Sequence, residues 1–507
     1  MGQGKGFLAV DVGTTHSKAA LFGEDGALVH IAMCHTDTVT YRDMEVYDPE
    51  ALWNGIAGLI REVVSVPGAP QVAGIGITSM AESGLLVDRD TGKALSPFIP
   101  WFSPVTQPQA EHIAAQADPF DRFVASGLKP SPKYGLPKLL WIQEHVPEAL
   151  NGGGRPVWLS ASDYIAFRLT GQAATDYTLA ARTYAYRIDE KRWDEDWIRH
   201  FGLDPAIFPE AQRSGEIVGR VLSDRAGAFG LPSEVPVVIG GHDHVCSALA
   251  AGAVTPETMM DSMGTAETLV GMMGQRALTR DDYESGFSFG AHVVPDAMFW
   301  MGSITFSGGS VEWLRGQLND NGLSYEQILS LLAGCKQEPT GVLFYPYLSG
   351  SGAPKRDAKA KAAFIGLQAA HTRAELIKAV LEGTAYEMEF MREAAAKLTG
   401  KRHERVTVVG GGTKNRFWLE IKASVSDVTL LVPKQHETAL LGAAILAAAA
   451  SGVYGTLDEA RTSMASQEGI TQYSPDANLH QKYRTLYENG YLALQEPIRA
   501  FSKLKLY

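Results

Sequence analysis

Apolar and polar positions alternate in short blocks from the start of the chain. Phe7-Leu8-Ala9-Val10 is an apolar run that ends in Asp11-Val12-Gly13-Thr14-Thr15, and Lys18-Ala19-Ala20-Leu21-Phe22 returns as a second run. Runs this short, separated by a polar stretch with glycine, predict two strands joined as a hairpin. Asp25-Gly26 marks a further hairpin turn before Ala27-Leu28-Val29-His30, so three antiparallel strands are expected at the outset. Helical spacing of apolar residues follows from Ala51 to Val64, and Val72-Ala73-Gly74-Ile75-Gly76-Ile77 is again strand-like. The alternation continues downstream and predicts mixed α/β layers.

The opening pattern recurs. Asp261-Ser262-Met263-Gly264-Thr265-Ala266-Glu267-Thr268-Leu269-Val270 repeats the order of Asp11 to Phe22, 250 positions later in a chain of 507 residues. A repeat at half the chain length predicts duplicated domains facing each other across a cleft, where small ligands bind; a chance match is the alternative. The expected division is 1–247 and 248–507, with its boundary near Ser247. In the second half Val406-Thr407-Val408-Val409 runs into Gly410-Gly411-Gly412-Thr413-Lys414-Asn415 and then the helical pattern Phe417-Trp418-Leu419-Glu420-Ile421. Glycines between a strand and a helix start let backbone N–H groups approach a ligand closely, and a nucleotide is the natural occupant. The small apolar stretch Thr438 to Ala450 is too short for a membrane span. It reads as a buried helix packed beneath that loop.

Composition narrows the classes. Hydrophobic residues make up 45% and charged residues 20% of the chain, as in ordinary soluble proteins. The net charge is −12 and no Lys/Arg block is present, so nucleic acid is not an expected partner. Cys34, Cys246 and Cys335 lie far apart without a C-x-x-C pair, which argues against a disulfide framework or zinc cluster and for a cytoplasmic protein. The first residues lack the apolar core of a signal peptide, and no membrane association is expected.

Candidate chemistry sits at the ends of the strands. In Gly13-Thr14-Thr15 and Gly264-Thr265 glycine exposes an amide and threonine adds a hydroxyl, which suits phosphate groups. Ordinary hairpin tips are the alternative. Taken as a pair they read as two tips closing on a polyphosphate, with Asp11 placed to hold a Mg²⁺ ion through its water shell. Val237-Val238-Ile239-Gly240-Gly241-His242-Asp243-His244 ends an apolar strand in glycines and an acid. Phosphoryl transfer to an alcohol needs a carboxylate within hydrogen-bond reach of the hydroxyl, and Asp243 is the candidate base. A His242-Asp243-His244 metal site and a helix-capping Asp243 are the rival readings. Gly286-Phe287-Ser288-Phe289-Gly290 matches a hydrolase elbow but continues as strand, and it is treated as a decoy. The glycines at 410–412 lack the G-x-G-x-x-G spacing of a dinucleotide fold. Trp101, Tyr134 and Trp141 are core aromatics or sugar platforms.

In order along the chain, these pieces resemble the FGGY family of carbohydrate kinases, the group that includes glycerol kinase, xylulokinase, gluconokinase and fuculokinase. The resemblance runs through Asp11 to Thr15, Asp163-Tyr164, Leu169-Thr170-Gly171, Thr175-Asp176-Tyr177, Gly240 to Asp243 and Ser262 to Thr265. It continues through Phe344 to Gly350, Phe364 to Leu367, Leu381-Glu382-Gly383, Gly410 to Asn415 and Glu437 to Ala444. It implies two actin-like domains of ribonuclease-H type with ATP and Mg²⁺ between them. It also implies Asp243 as base, Asp11 and Asp243 at the metal, and Gly13, Thr14, Thr15, Lys18, Gly264 and Thr265 around the phosphates. Gly411, Gly412 and Asn415 would lie on the adenosine side, and Met80, Glu82, Trp101, Asp243 and His244 on the acceptor side.

The acceptor side departs from the family pattern. Glycerol kinases carry Gln-Arg-Glu ending at the position of Glu82, and xylulokinases Gln-Met-His-Gly; here the residues are Met80-Ala81-Glu82, and only Glu82 fits the first. Glu82 is expected to accept hydrogen bonds from two acceptor hydroxyls. After Trp101 the family's polar residue and Arg are Ser103 and Val105, and its Gly-Glu-Arg-x-Pro is Gly350-Ser351-Gly352-Ala353-Pro354. The expected reaction is ATP-dependent phosphorylation of a pentulose or 6-deoxyhexulose, with a tetritol, pentitol or glycerol-like polyol next. An actin-like or chaperone-like ATPase and a silent sugar sensor are the other classes. The oligomeric state is left open, with a homodimer as one expectation.

Overall fold

Strands Lys5–Val12, His16–Gly23 and Leu28–His35 form the expected antiparallel meander, with Val10 opposite Ala19 and Leu21 opposite His30. The computed structural model describes residues 4–319, 322–465 and 469–504. Lys5–Val12 pairs in parallel with Gln71–Ser79, and that strand in parallel with Pro236–His242; a short antiparallel edge, Ile217–Arg220, completes six strands. Helix Pro49–Val64 begins where Asp48 accepts hydrogen bonds from the Glu50 and Ala51 amides and proline occupies the first turn. Its buried face, including Leu52, Ile56, Ile60 and Val63, covers the meander.

The second sheet repeats this plan. Thr258–Met263, Glu267–Gly274 and Ala297–Ile304 are antiparallel, Thr258–Met263 pairs in parallel with Arg405–Val409, and Arg405–Val409 with Thr429–Val432. Three antiparallel strands followed by two parallel ones in both sheets make the echo between Asp11 and Asp261 a topological duplication. Ser288 opens an edge strand, Ser288–Ala291, so the Gly286–Gly290 segment is no strand-to-helix elbow.

One expectation is corrected. Helix Thr438–Ala450 forms as predicted, but it packs against the first sheet and helix Asp243–Ala250 rather than beneath the glycine loop. A helix apolar on every side needs apolar neighbours on every side. The glycine loop offers one short turn, whereas the sheet and helix Asp243–Ala250 form a trough. Leu440, Ala443, Ala444 and Ala447 share a core with Phe7, Ala9 and Ala20 of the first sheet, with Val245 and Leu249, and with Met260 and Val270 of the second sheet. Ser247 lies inside helix Asp243–Ala250.

The approach is close enough to need glycine. A Cβ on Gly76 would lie 2.0 Å from the Ala443 carbonyl oxygen, and one on Gly442 would lie 2.0 Å from that of Cys246. Gly442→Val is therefore expected to destabilise the protein by about 3 kcal/mol through overpacking, read as a lower urea midpoint. A midpoint matching the parent would show that the two helices can separate freely. Among the described residues no helix is long and apolar enough to cross a membrane.

Candidate active site

Strand Pro236–His242 delivers Asp243 to a cleft between the two sheets, and the glycine before it is required. Gly241 has φ +87°, and a Cβ there would lie 2.2 Å from the Thr178 hydroxyl oxygen. The Thr178 hydroxyl accepts from the His242 amide at 2.8 Å and donates to Asp176 at 3.0 Å, while the Thr78 hydroxyl donates to the Gly241 carbonyl at 2.7 Å. Thr178, oriented by Asp176, thus acts as a buried clamp on the backbone that carries Asp243.

Asp243 is the first residue of helix Asp243–Ala250, and its carboxylate accepts from the His244 amide at 2.6 Å. It stands 3.3 Å from His242 Nε2 with its side chain 28% exposed. The cap position is His242, without a side-chain bond, and the Asp243 carboxylate serves the first turn through the His244 amide. Burial pushes the Asp243 carboxyl up to about 7, helped by the Glu82 charge and opposed by the His244 amide and Arg182. A carboxylate in this range is a stronger base than an exposed one. Burial also holds His242 and His244 below the ordinary imidazole range, so both are neutral near pH 7. Among the described residues no three His, Cys, Asp or Glu side chains are grouped to hold a metal ion, and the His-Asp-His metal reading gains no support.

The first hairpin tip lies beside this acid. Trp101 Nε1 donates to the Thr14 hydroxyl at 2.9 Å, and that hydroxyl meets the Met80 sulfur at 3.6 Å. Trp101 is 39% exposed and stands at the cleft, whereas Trp141 belongs to the core. Burial and the neighbouring Asp243 charge raise the Asp11 carboxyl, and its Oδ1 is sealed from solvent with no partner. The Lys18 ammonium lies 2.7 and 2.9 Å from the two Glu437 carboxylate oxygens at the start of helix Thr438–Ala450. Glu437, 419 positions away, escaped the sequence reading as a side chain of this site.

Glu82 presents one engaged carboxylate oxygen, since Arg182 and Lys133 both meet its Oε1. It sits in a turn at φ +67°, accepts from Arg182 Nε at 2.8 Å and from Nη2, and lies 3.3 Å from the Lys133 ammonium. Burial alone would raise its pKa, but Arg182 and Lys133 outweigh it and hold the carboxyl well below the usual range. The buried Lys138 donates to the Glu82 carbonyl at 2.9 Å and fixes the turn. Arg182 and Lys133 belong to no motif, and nothing in their local spacing marks them.

In the second half, the amides of Ser307, Gly308 and Gly309 donate to the carbonyls of Thr265 and Gly264 at 2.9 to 3.1 Å. Helix Gly308–Gln317 is thereby docked on the second tip. Asp261, the counterpart of Asp11, is buried 3.2 Å from the Lys422 ammonium, which also binds Glu267. Gly410 adopts φ +91°, Gly411–Lys414 forms one tight turn, and Asn415 caps helix Arg416–Ser426 by accepting from the Trp418 amide at 3.3 Å. A Cβ on Gly411 would meet no protein atom within 4 Å, whereas one on Gly412 would lie 2.7 Å from Met263. Packing therefore requires glycine at 412 but leaves the outer side of 411 open to a ligand.

A cavity of about 500 Å³ lies between the halves. It brings together Thr14, Met80, Glu82, Trp101, Asp243 and His244, and adds Tyr134, Arg182, Thr268 and Ser303. Gly13, Thr15, Lys18, Gly264, Thr265, Gly411, Gly412, Asn415 and Asp11 do not line it, though the Asp243 charge acts on Asp11.

Comparison with known proteins gives matches over nearly the whole chain. The N-terminal-domain model of the FGGY family of carbohydrate kinases matches residues 7–250, and the C-terminal-domain model matches residues 259–451. A xylulose kinase from Staphylococcus epidermidis is 32% identical over 363 residues, 71% of each chain. A glycerol kinase from Pasteurella multocida is 28% identical over 490 residues, 95% of this chain and 96% of its own. The crystal structure of a xyloylose kinase from Brucella ovis superposes with a TM-score of 0.87 at 25% identity, covering 98% of this chain and all of that one.

Proposed function

Because the chain belongs to the FGGY family of carbohydrate kinases, whose members use ATP, we propose that it phosphorylates a hydroxyl of a small sugar held in the cavity beside Asp243. The observation that carries this reading is the Asp243 carboxylate, fixed at a strand end and raised in basicity, in a cavity shared by both halves. A pentulose or 6-deoxyhexulose is the first acceptor to test and a polyol the second; the similarity to xylulose and glycerol kinases supports both.

In this reading Asp243 takes the proton of the acceptor hydroxyl as its oxygen bonds to the γ-phosphorus. The bond from that phosphorus to the bridging oxygen of the β-phosphate breaks, and ADP leaves with the electron pair. Thr14 and Thr265, with the turns of Gly13, Thr15 and Gly264, would hold phosphate oxygens, and Lys18 would reach them on leaving Glu437. Gly411, Gly412 and Asn415 would take the adenosine. The trapped Asp11 Oδ1, next to a second carboxylate, fits a site for Mg²⁺ through its water shell. When bound, the ion would neutralise phosphate charge. The units 1–247 and 248–507 would close over the acceptor and exclude water. The free cysteines Cys34, Cys246 and Cys335 suit a cytoplasmic protein.

Purified protein assayed for ADP release against ketoses, aldonates and polyols is expected to show at least one acceptor raising ATP turnover well above its basal rate. Turnover that no acceptor raises would favour an ATPase or sensor instead.

A further inference from the structure

The cavity beside Asp243 carries more positive than negative charge. Lys129, Lys133, Arg182 and Arg356 line it against only two carboxylates, Glu82 and Asp243. Arg182 and Lys133 are engaged by Glu82. Lys129 and Arg356 have no hydrogen bond or ion pair among the described residues. Lys129 lies over the Tyr283 ring at 4.2 Å, and Arg356 is exposed two residues after Pro354.

These two cations come from opposite halves of the chain and line the same cavity. Burial lowers the Lys129 pKa, Arg356 adds to that, and Glu284 opposes it. Like charges turned into one partly desolvated space repel, and an anion between them converts repulsion into two attractions. Lys129 lies over the Tyr283 ring, and a Cβ on Gly286 would lie 2.6 Å from the carbonyl oxygen of Pro354, two residues before Arg356, so both cations belong to the Tyr283–Gly286 side of the cavity. Asp243 and Thr14 stand at strand ends of the first sheet, on another wall of the same cavity.

We infer that the acceptor is a polyhydroxy compound with an anionic group, a carboxylate or a phosphate, seated between Lys129 and Arg356 while a hydroxyl at its other end reaches Asp243. This rests on the kinase reading and adds the substrate class to it. The anion would also give the two halves a shared ligand, so that binding the acceptor favours the closed cleft.

The test compares a neutral pentulose, the matching pentonate and the matching pentulose 1-phosphate as acceptors, by ADP release, in the parent, Lys129→Met and Arg356→Gln. One or both anionic acceptors should exceed the pentulose in kcat/KM by at least about 10-fold, the scale of one charge-assisted contact. Preference for the pentonate or for the phosphate identifies which anion is taken. Each variant should reduce the anionic-to-neutral ratio by about 10-fold or more, mainly through KM, and added salt should reduce it in the parent. Arg356→Gln alters an exposed side chain, so its result stands even if Lys129→Met fails to fold. Preferred use of the neutral pentulose, or a ratio unmoved by Arg356→Gln and salt, would overturn the inference while leaving the kinase reading intact. ADP release that none of the three acceptors, nor any ketose or polyol, raises would overturn both.

Discussion

Asp243→Asn is expected to bind ATP as the parent does and to transfer phosphate at least about 10²-fold more slowly, the loss typical of removing a general base. The amide keeps the shape of the side chain and can still meet the His244 amide, so the strand end and its Asp176–Thr178 clamp should persist. What disappears is the proton acceptor. The measurement is single-turnover phosphorylation of the best acceptor alongside nucleotide affinity from calorimetry. Full activity would remove Asp243 from the chemistry, and lost ATP affinity with normal transfer at saturation would mark it as a nucleotide or metal ligand instead.

The second large effect is on stability. Lys422→Met is expected to destabilise the protein by about 3 to 5 kcal/mol, because Asp261 and Glu267 would remain fully buried without their shared ammonium. Burial and the Glu267 charge already push the Asp261 carboxyl up to about 7 with Lys422 in place. Thermal or urea unfolding would show the loss. Adding Asp261→Asn and Glu267→Gln should recover most of it, since the charges left unpaired are then gone. An unchanged midpoint in the single variant would mean that this cluster holds no strongly interacting charges.

The duplication was legible because it is local. Each Gly-Thr tip and its flanking strands lie within about a dozen residues, and the strand–glycine–acid order before Asp243 is read directly from neighbouring positions. Helix Thr438–Ala450 was legible as an element but not in its location, since a uniformly apolar surface does not specify which partner it meets. The Glu82–Arg182 pair was invisible for a related reason: its members stand 100 positions apart and each has the composition of an ordinary surface residue. Sequence separation likewise hid the Lys18–Glu437 bond and the convergence of Lys129 with Arg356. The reaction was therefore easier to read than the acceptor, whose walls are assembled from distant segments.

Asp261 occupies in the second half the place that Asp11 holds in the first, yet Lys422 fills the space before it. A repeated fold offers two equivalent corners at which to do chemistry. Here one corner has been closed with an internal cation, and the other keeps an unpaired oxygen. With Asp11 at the metal as proposed, such a chain would have a direction, nucleotide and acceptor being productively arranged in one sense, with one repeat as the working copy and the other as a structural one.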